Sequence, residues 1–242
     1  MKKRLLGIML GALAAGSVQA AALDVGKISS QGQAVFKALS EDLAAALSYK
    51  AITPAEPLGV VGFDLGVEVT GTQPANAKDW AAAVGESDVS LLPAPKLHAF
   101  KGLPLSLDVG AVYSAIPGTG IQYYGGELRY SFVSGNVAIP ALAIRGAYTA
   151  LTGVDTLEMN TKSVELTVSK GFLMFTPYAG IGQVWATSTP SGSVANVFSE
   201  ESLSLSKWYV GININMGLVN LAFETDQTGD ATSYSGKLGF RF

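Results

Sequence analysis

The chain of 242 residues contains no cysteine and a single histidine, His98. Without cysteine there is no disulfide framework, no thiolate metal site and no lipid anchor on an N-terminal cysteine. One histidine leaves little for general acid–base chemistry near neutral pH, which usually draws on an imidazole. Charge is scarce as well. Asp, Glu, Lys and Arg make up 14% of the chain against 48% hydrophobic residues, less than a soluble α/β enzyme usually carries. Long apolar runs are also missing. No stretch beyond the N-terminal leader reaches about eighteen consecutive apolar residues, which excludes a transmembrane helix. What remains for crossing a bilayer is a closed barrel of strands, in which every backbone polar group is paired. No Walker loop or zinc-ligand spacing occurs, and Gly180-Ile181-Gly182 is followed by no helix, so it is a strand feature and no nucleotide fingerprint. No cofactor is implied.

The leader reads as an export signal. Lys2, Lys3 and Arg4 form its positive start, Leu5 to Ala15 its short apolar core, and Val18-Gln19-Ala20 an A-x-A-like cleavage site. Cleavage falls after Ala20, with Ala22 as the alternative. Removing residues 1–20 takes away three cations and no anion, so the net charge moves from −3 to −6. An acidic chain without a basic run is a poor partner for nucleic acid.

Residues 21–57 differ from the rest of the mature chain. Val35, Phe36, Leu39, Leu43 and Leu47 recur at helical spacing, with Lys37, Ser40, Glu41 and Asp42 on the other faces. The spacing predicts a helix from about Gln31 to Tyr49, ended by Ile52-Thr53-Pro54-Ala55-Glu56-Pro57, since each proline removes a donor and biases its neighbour to extended geometry. The segment is either a plug inside a barrel or a periplasmic cap beneath one.

From Leu58 onward the period changes to two. Val61, Phe63, Leu65, Val67 and Val69 alternate with Gly62, Asp64, Gly66, Glu68 and Thr70. Further strands are expected near 95–101 and over 104–115, 120–133, 137–150, 160–170, 173–187, 204–216 and 218–227, with a last one ending at Phe242. That makes ten, within a range of eight to twelve. Tight connections after strands 2, 4, 6 and 8 face longer ones at 72–94 and 188–203, the asymmetry of a barrel with short periplasmic turns. Both termini then fall on the short-turn side. Tyr113, Tyr124, Tyr148, Trp185, Trp208 and Tyr234 face out near the long-loop end, and Phe63, Phe132, Phe175 and Phe242 near the other, as two aromatic girdles at headgroup depth.

The last nine residues alternate strictly: Tyr234, Leu238, Phe240 and Phe242 on one face, Ser235, Lys237, Gly239 and Arg241 on the other. An aromatic nine places from the end, apolar residues at five and three, and a terminal Phe resemble the closing strand of Gram-negative outer-membrane β-barrels. The resemblance covers residues 58–242. It implies an all-β, transmembrane, antiparallel up-and-down barrel in the outer membrane. It also implies Tyr234, Leu238, Phe240 and Phe242 as an assembly signal, with the barrel assembly machinery, periplasmic chaperones, membrane lipid and lipopolysaccharide as partners.

Parity then assigns the lumen. The inward acids are Asp64, Glu68, Asp108, Glu127, Glu165 and Glu224, and the inward bases Arg129, Arg145, Lys207, Lys237 and Arg241. They suit either a polar pore or a salt-bridge network filling a narrow barrel, since buried charge is costly unless paired. Gly62, Gly66, Gly110, Gly125, Gly180, Gly182, Gly211 and Gly239 also face inward and leave volume for water, a ligand or the helix, or relieve strand curvature. The acid pairs Glu200-Glu201 and Asp226 with Asp230 are read as loop charges. Ten-stranded omptin-like proteases and lipid A acyl-modifying enzymes are similar in build, but His98 has no Ser or acid beside it in a recognisable motif. Three functions stay open: a small pore or transport barrel for small solutes or hydrophobic compounds, a non-transporting structural or adhesive barrel acting through its loops, and an enzyme on lipid or peptide.

Overall fold

The computed structural model describes residues 31–84, 89–115 and 120–242. The export signal and its cleavage site lie outside the described residues. Helix α1, Gln33–Leu47, comes first. Ten strands come after it: β1 Phe63–Gln73, β2 Leu92–Gly102, β3 Leu107–Ala115, β4 Gln122–Val133, β5 Ala141–Val154, β6 Leu157–Ser169, β7 Phe175–Pro190, β8 Glu201–Met216, β9 Val219–Thr228 and β10 Ala231–Arg241. A second helix, α2 Ala77–Val84, interrupts the connection between β1 and β2. Each strand pairs antiparallel with its sequence neighbour, and β10 closes on β1 to make an up-and-down barrel.

Alternation sets which side chain faces which solvent. Along β1, Phe63, Leu65, Val67 and Val69 are exposed and Asp64, Glu68, Thr70 and Thr72 are buried. The same reversal of the soluble-protein pattern runs round the barrel: apolar outside, charge inside. The predicted girdle residues all stand on the outer face, from Phe63 at 37% exposure to Phe242 at 62%. Phe63 and Phe242 meet across the seam with ring centroids 5.9 Å apart.

The strands run further than expected at the end opposite Phe242. β5 and β6 are joined there by Asp155-Thr156, and β9 and β10 by Gly229-Asp230. Two of the connections at the long-loop end are therefore tight turns. The asymmetry is carried by residues 74–91, which include α2, and by 191–200. Leu105, inside the span 104–115 expected for a strand, lies in the β2–β3 turn with φ 64°. Glu201 opens β8, and Asp226 sits within β9 with its side chain buried, so neither is a loop charge.

Candidate functional site

The lumen is occupied by the chain itself. α1 lies within the barrel at the long-loop end, where Gln33 Nε2 donates to Ser199 O at 3.0 Å and to the Glu201 carboxylate. Its sequence is rich in Ala and Leu, good helix formers. The face spaced by threes and fours, Phe36, Leu39, Leu43 and Leu47, is buried against inward apolar residues of the upper strands, among them Leu151, Met159 and Leu203. Burying a side chain of that size contributes roughly 1.5–3 kcal/mol. Phe36 stacks on Phe198 of the β7–β8 loop with centroids 5.0 Å apart. Asp42 ties α1 to α2, accepting from the backbone N–H of Ala75 at 2.8 Å and Asn76 at 3.0 Å, and from Trp80 Nε1 at 3.0 Å. Burial raises the Asp42 carboxyl pKa despite these donors. α1, α2 and residues 191–200 thus form one apolar-cored cap.

Below the helix, residues 48–58 thread the bore in a non-helical path. Ile52 has φ 46°, a left-handed conformation that a β-branched side chain rarely adopts, and Pro54 and Pro57 prevent the helix from resuming. The wall fixes this thread by its polar atoms. Tyr123 Oη and Thr149 Oγ1 donate to Leu47 O at 3.1 and 2.9 Å, and Lys207 Nζ to Tyr49 O at 2.7 Å. Arg129 donates to Pro54 O at 2.6 Å and Thr53 Oγ1 at 2.7 Å, and Leu58 N donates to Asp108 Oδ1 at 3.0 Å. Residues 48–55 are all buried, as are the charged groups facing them, so the bore is closed to water at this level.

Every charge assigned to the lumen by alternation faces the lumen. Arg129 pairs with Asp108 at 2.7 Å, Arg145 with Glu127 and Glu165 at 3.1 and 3.0 Å, Lys207 with Glu165 at 2.9 Å, and Lys237 with Asp64 at 2.5 Å. Arg241 stands 3.7 Å from Asp64, and Glu224 accepts from Tyr178 Oη at 3.0 Å. Three further groups of the wall lie outside the sequence assignment. Lys96 pairs with Glu68 at 2.5 Å, His98 Nδ1 lies 3.4 Å from the same carboxylate, and Asp226 faces the thread. With these the described wall carries seven acids and six permanent cations. The seventh cation belongs to the thread: Lys50 Nζ lies 2.8 Å from Asp226 and also donates to Ala45 O and Ser48 Oγ. The alternation that selects Glu224 also selects Asp226, whereas nothing in the sequence marks Lys50 as its partner.

The inward glycines make room for rings as well as for the thread. Gly110 sits opposite Phe100, Gly180 opposite Tyr209 and Gly211 opposite Tyr178. A Cβ at any of the three would fall within 2.3 Å of the facing ring. Each ring lies over its glycine, a cross-strand arrangement that shields the bare backbone. A hollow of about 510 Å³ lies elsewhere, on the outer wall between Phe132, Leu142, Ile181, Trp208 and Val210.

A closed antiparallel barrel of ten strands, apolar and aromatic outside and charged within, is the build of outer-membrane β-barrels. No known protein family and no curated protein matches the sequence. Solved structures similar to this chain include OmpTΔL8, a loop-deletion mutant of an outer membrane protein of Vibrio cholerae, at 11% identity and a TM-score of 0.32, over 62% of this chain and 54% of that one. Ail, the attachment invasion locus protein of Yersinia pestis, in complex with sucrose octasulfate, is 10% identical with a TM-score of 0.28, over 75% of this chain and 97% of its own. Neisserial surface protein A is 8% identical with a TM-score of 0.31, over 74% and 95%.

Proposed function

We propose that the protein is a gated outer-membrane channel for small solutes or hydrophobic compounds, held shut by its own N-terminal segment. The observation that carries this reading is the mismatch between thread and wall. Residues 48–58 are no part of the sheet and are fixed mostly through groups that water can satisfy in their place. Hydrophobic residues of similar volume fill a static interior with no loss of stability, often with a gain. A wall that keeps thirteen charge-bearing side chains is suited to contain water once the thread moves. Single-channel recording in a planar bilayer tests this. The full chain should be silent or open only in rare bursts, and a variant lacking residues 21–57 should conduct steadily. Silence in both would end the transport reading.

A second reading is favoured by the cap. The apolar core joining α1, α2 and the β7–β8 loop makes a fixed platform on the long-loop side, as a non-transporting barrel that works through its surface would have. It predicts loss of surface binding, with no change in conductance, when residues 74–91 or 191–200 are replaced. His98 supports neither reading directly. It is 3% exposed, with Nδ1 3.4 Å from Glu68 and its ring centroid 4.5 Å from that of Phe100.

A further inference from the structure

The thread has a direction. Gln33 is bonded to Ser199 and Glu201 at the long-loop end, and Leu58 to Asp108 close to the short-turn end, where β1 begins. The described chain therefore starts at the opposite end of the barrel from Phe242, which pairs with Phe63. The sequence suggested the short-turn side for both termini; among the described residues the first, Gln31, lies by the long loops instead. Short turns face the periplasm in barrels of this class. We propose that the protein carries its own N-terminal side through its lumen to the cell exterior, so that Gln31 is presented on the outer surface.

Three observations support this independently of whether the lumen conducts. First, the anchoring at the outer end is two-sided: Ser199 N also donates to Gln33 Oε1 at 2.9 Å, so amide and backbone bond reciprocally. Second, Phe36 and Leu39, one turn further in, are 2% exposed within the upper apolar layer, which fixes the helix with its start outward. Third, Gln31 and Gly32 are exposed while residues 48–55 are wholly buried, so the chain passes from solvent into the bore between those points. A periplasmic cap would show the reverse order, with its helix beside the short turns.

The absence of native cysteine makes the test direct. Three single-cysteine variants of the full chain are expressed in cells and treated with a membrane-impermeant maleimide: Gln31→Cys, Asn196→Cys in the β7–β8 loop, and Ala138→Cys in the β4–β5 turn. All three positions are exposed. Heat-modifiable gel mobility confirms that each variant is folded. Gln31→Cys should label on intact cells to the same extent as Asn196→Cys, and Ala138→Cys only after permeabilisation. Labelling of Asn196→Cys without Gln31→Cys would overturn the outward path of the thread. Labelling of Ala138→Cys alone would overturn the orientation of the whole barrel, and the proposal with it.

Discussion

Lys50 is the one permanent cation that the thread contributes to the wall, and removing it should unlatch the thread. Its Nζ is within 2.8 Å of both Asp226 oxygens, and both side chains are essentially free of solvent. In Lys50→Met the Asp226 carboxylate keeps only the Thr228 hydroxyl, 3.0 Å away. Stripping one partner from a buried pair costs about 3–5 kcal/mol, mostly from the charge left behind. Neutralising that charge should recover most of the loss, so the Lys50→Met, Asp226→Asn double variant is expected to lie within about 1 kcal/mol of wild type. Subtracting both single-variant losses from that of the double variant, the cycle should show a coupling of at least about 2 kcal/mol, larger by whatever Asp226→Asn costs alone. Urea unfolding in lipid vesicles, followed by tryptophan emission and gel mobility, measures it. If the thread leaves while the sheet stays closed, the same energy appears as raised open probability in the bilayer at unchanged barrel stability. A Lys50→Met variant as stable and as silent as wild type, with the double variant no better, would refute the latch.

Other tests come from single contacts. A Cβ on Gly110 meets the Phe100 ring first, at 2.2 Å. Gly110→Ala should therefore destabilise by about 1–3 kcal/mol, and Phe100→Leu in that background should restore part of it; equal stability of all three proteins would be the contrary result. Asp42→Ala leaves three donors without their acceptor, at about 1–3 kcal/mol for each that stays buried, and should expose residues 74–91 to limited proteolysis. Because burial raises the Asp42 carboxyl pKa, the folded chain holds the extra proton between the ordinary carboxylate value and the raised one. Acidification across that window should add to stability from this group, readable as the difference in pH profile between wild type and Asp42→Asn. Finally, Trp185 and Trp208 are about half exposed on the outer face and Trp80 is buried in the cap. Lipids brominated near the headgroup should quench two of the three tryptophans, and quenching should vanish in Trp185→Phe, Trp208→Phe. Strong residual quenching there would contradict the placement of Trp80.

How much the sequence discloses depends on which physical pattern is periodic. Lipid on one side and charge on the other force strict alternation, so β1, β8 and β10 are plain, and with them the inward positions of Asp64, Lys207 and Lys237. β2 is obscure because Pro93 and Pro95 read as breakers. Among the described residues β2 pairs with β3 from Leu97 onward, so neither proline falls within that ladder. Lys96 stays hidden with it. Asp226 reads as a loop charge when its nearness to Asp230 is weighed above its parity, and parity is the better guide. The helix is legible from Phe36, Leu39, Leu43 and Leu47, but the side from which it enters the barrel is not. That depends on a match with Leu151, Met159 and Leu203, which lie more than a hundred residues away and carry no local mark of depth.

A ring with its own leading segment lying through the hole constrains the order in which it can be made. The seam joins partners as far apart as Asp64 and Lys237, 173 positions along the chain, the last contact that chain connectivity favours. Were the seam to shut first, α1 would have to travel the whole bore with its apolar face against charged walls. With the thread already laid down, each arriving strand finds backbone carbonyls to accept from Thr149, Arg129 and Lys207 in turn. The segment that closes the finished barrel is in this sense its mandrel, the form around which the sheet is wound.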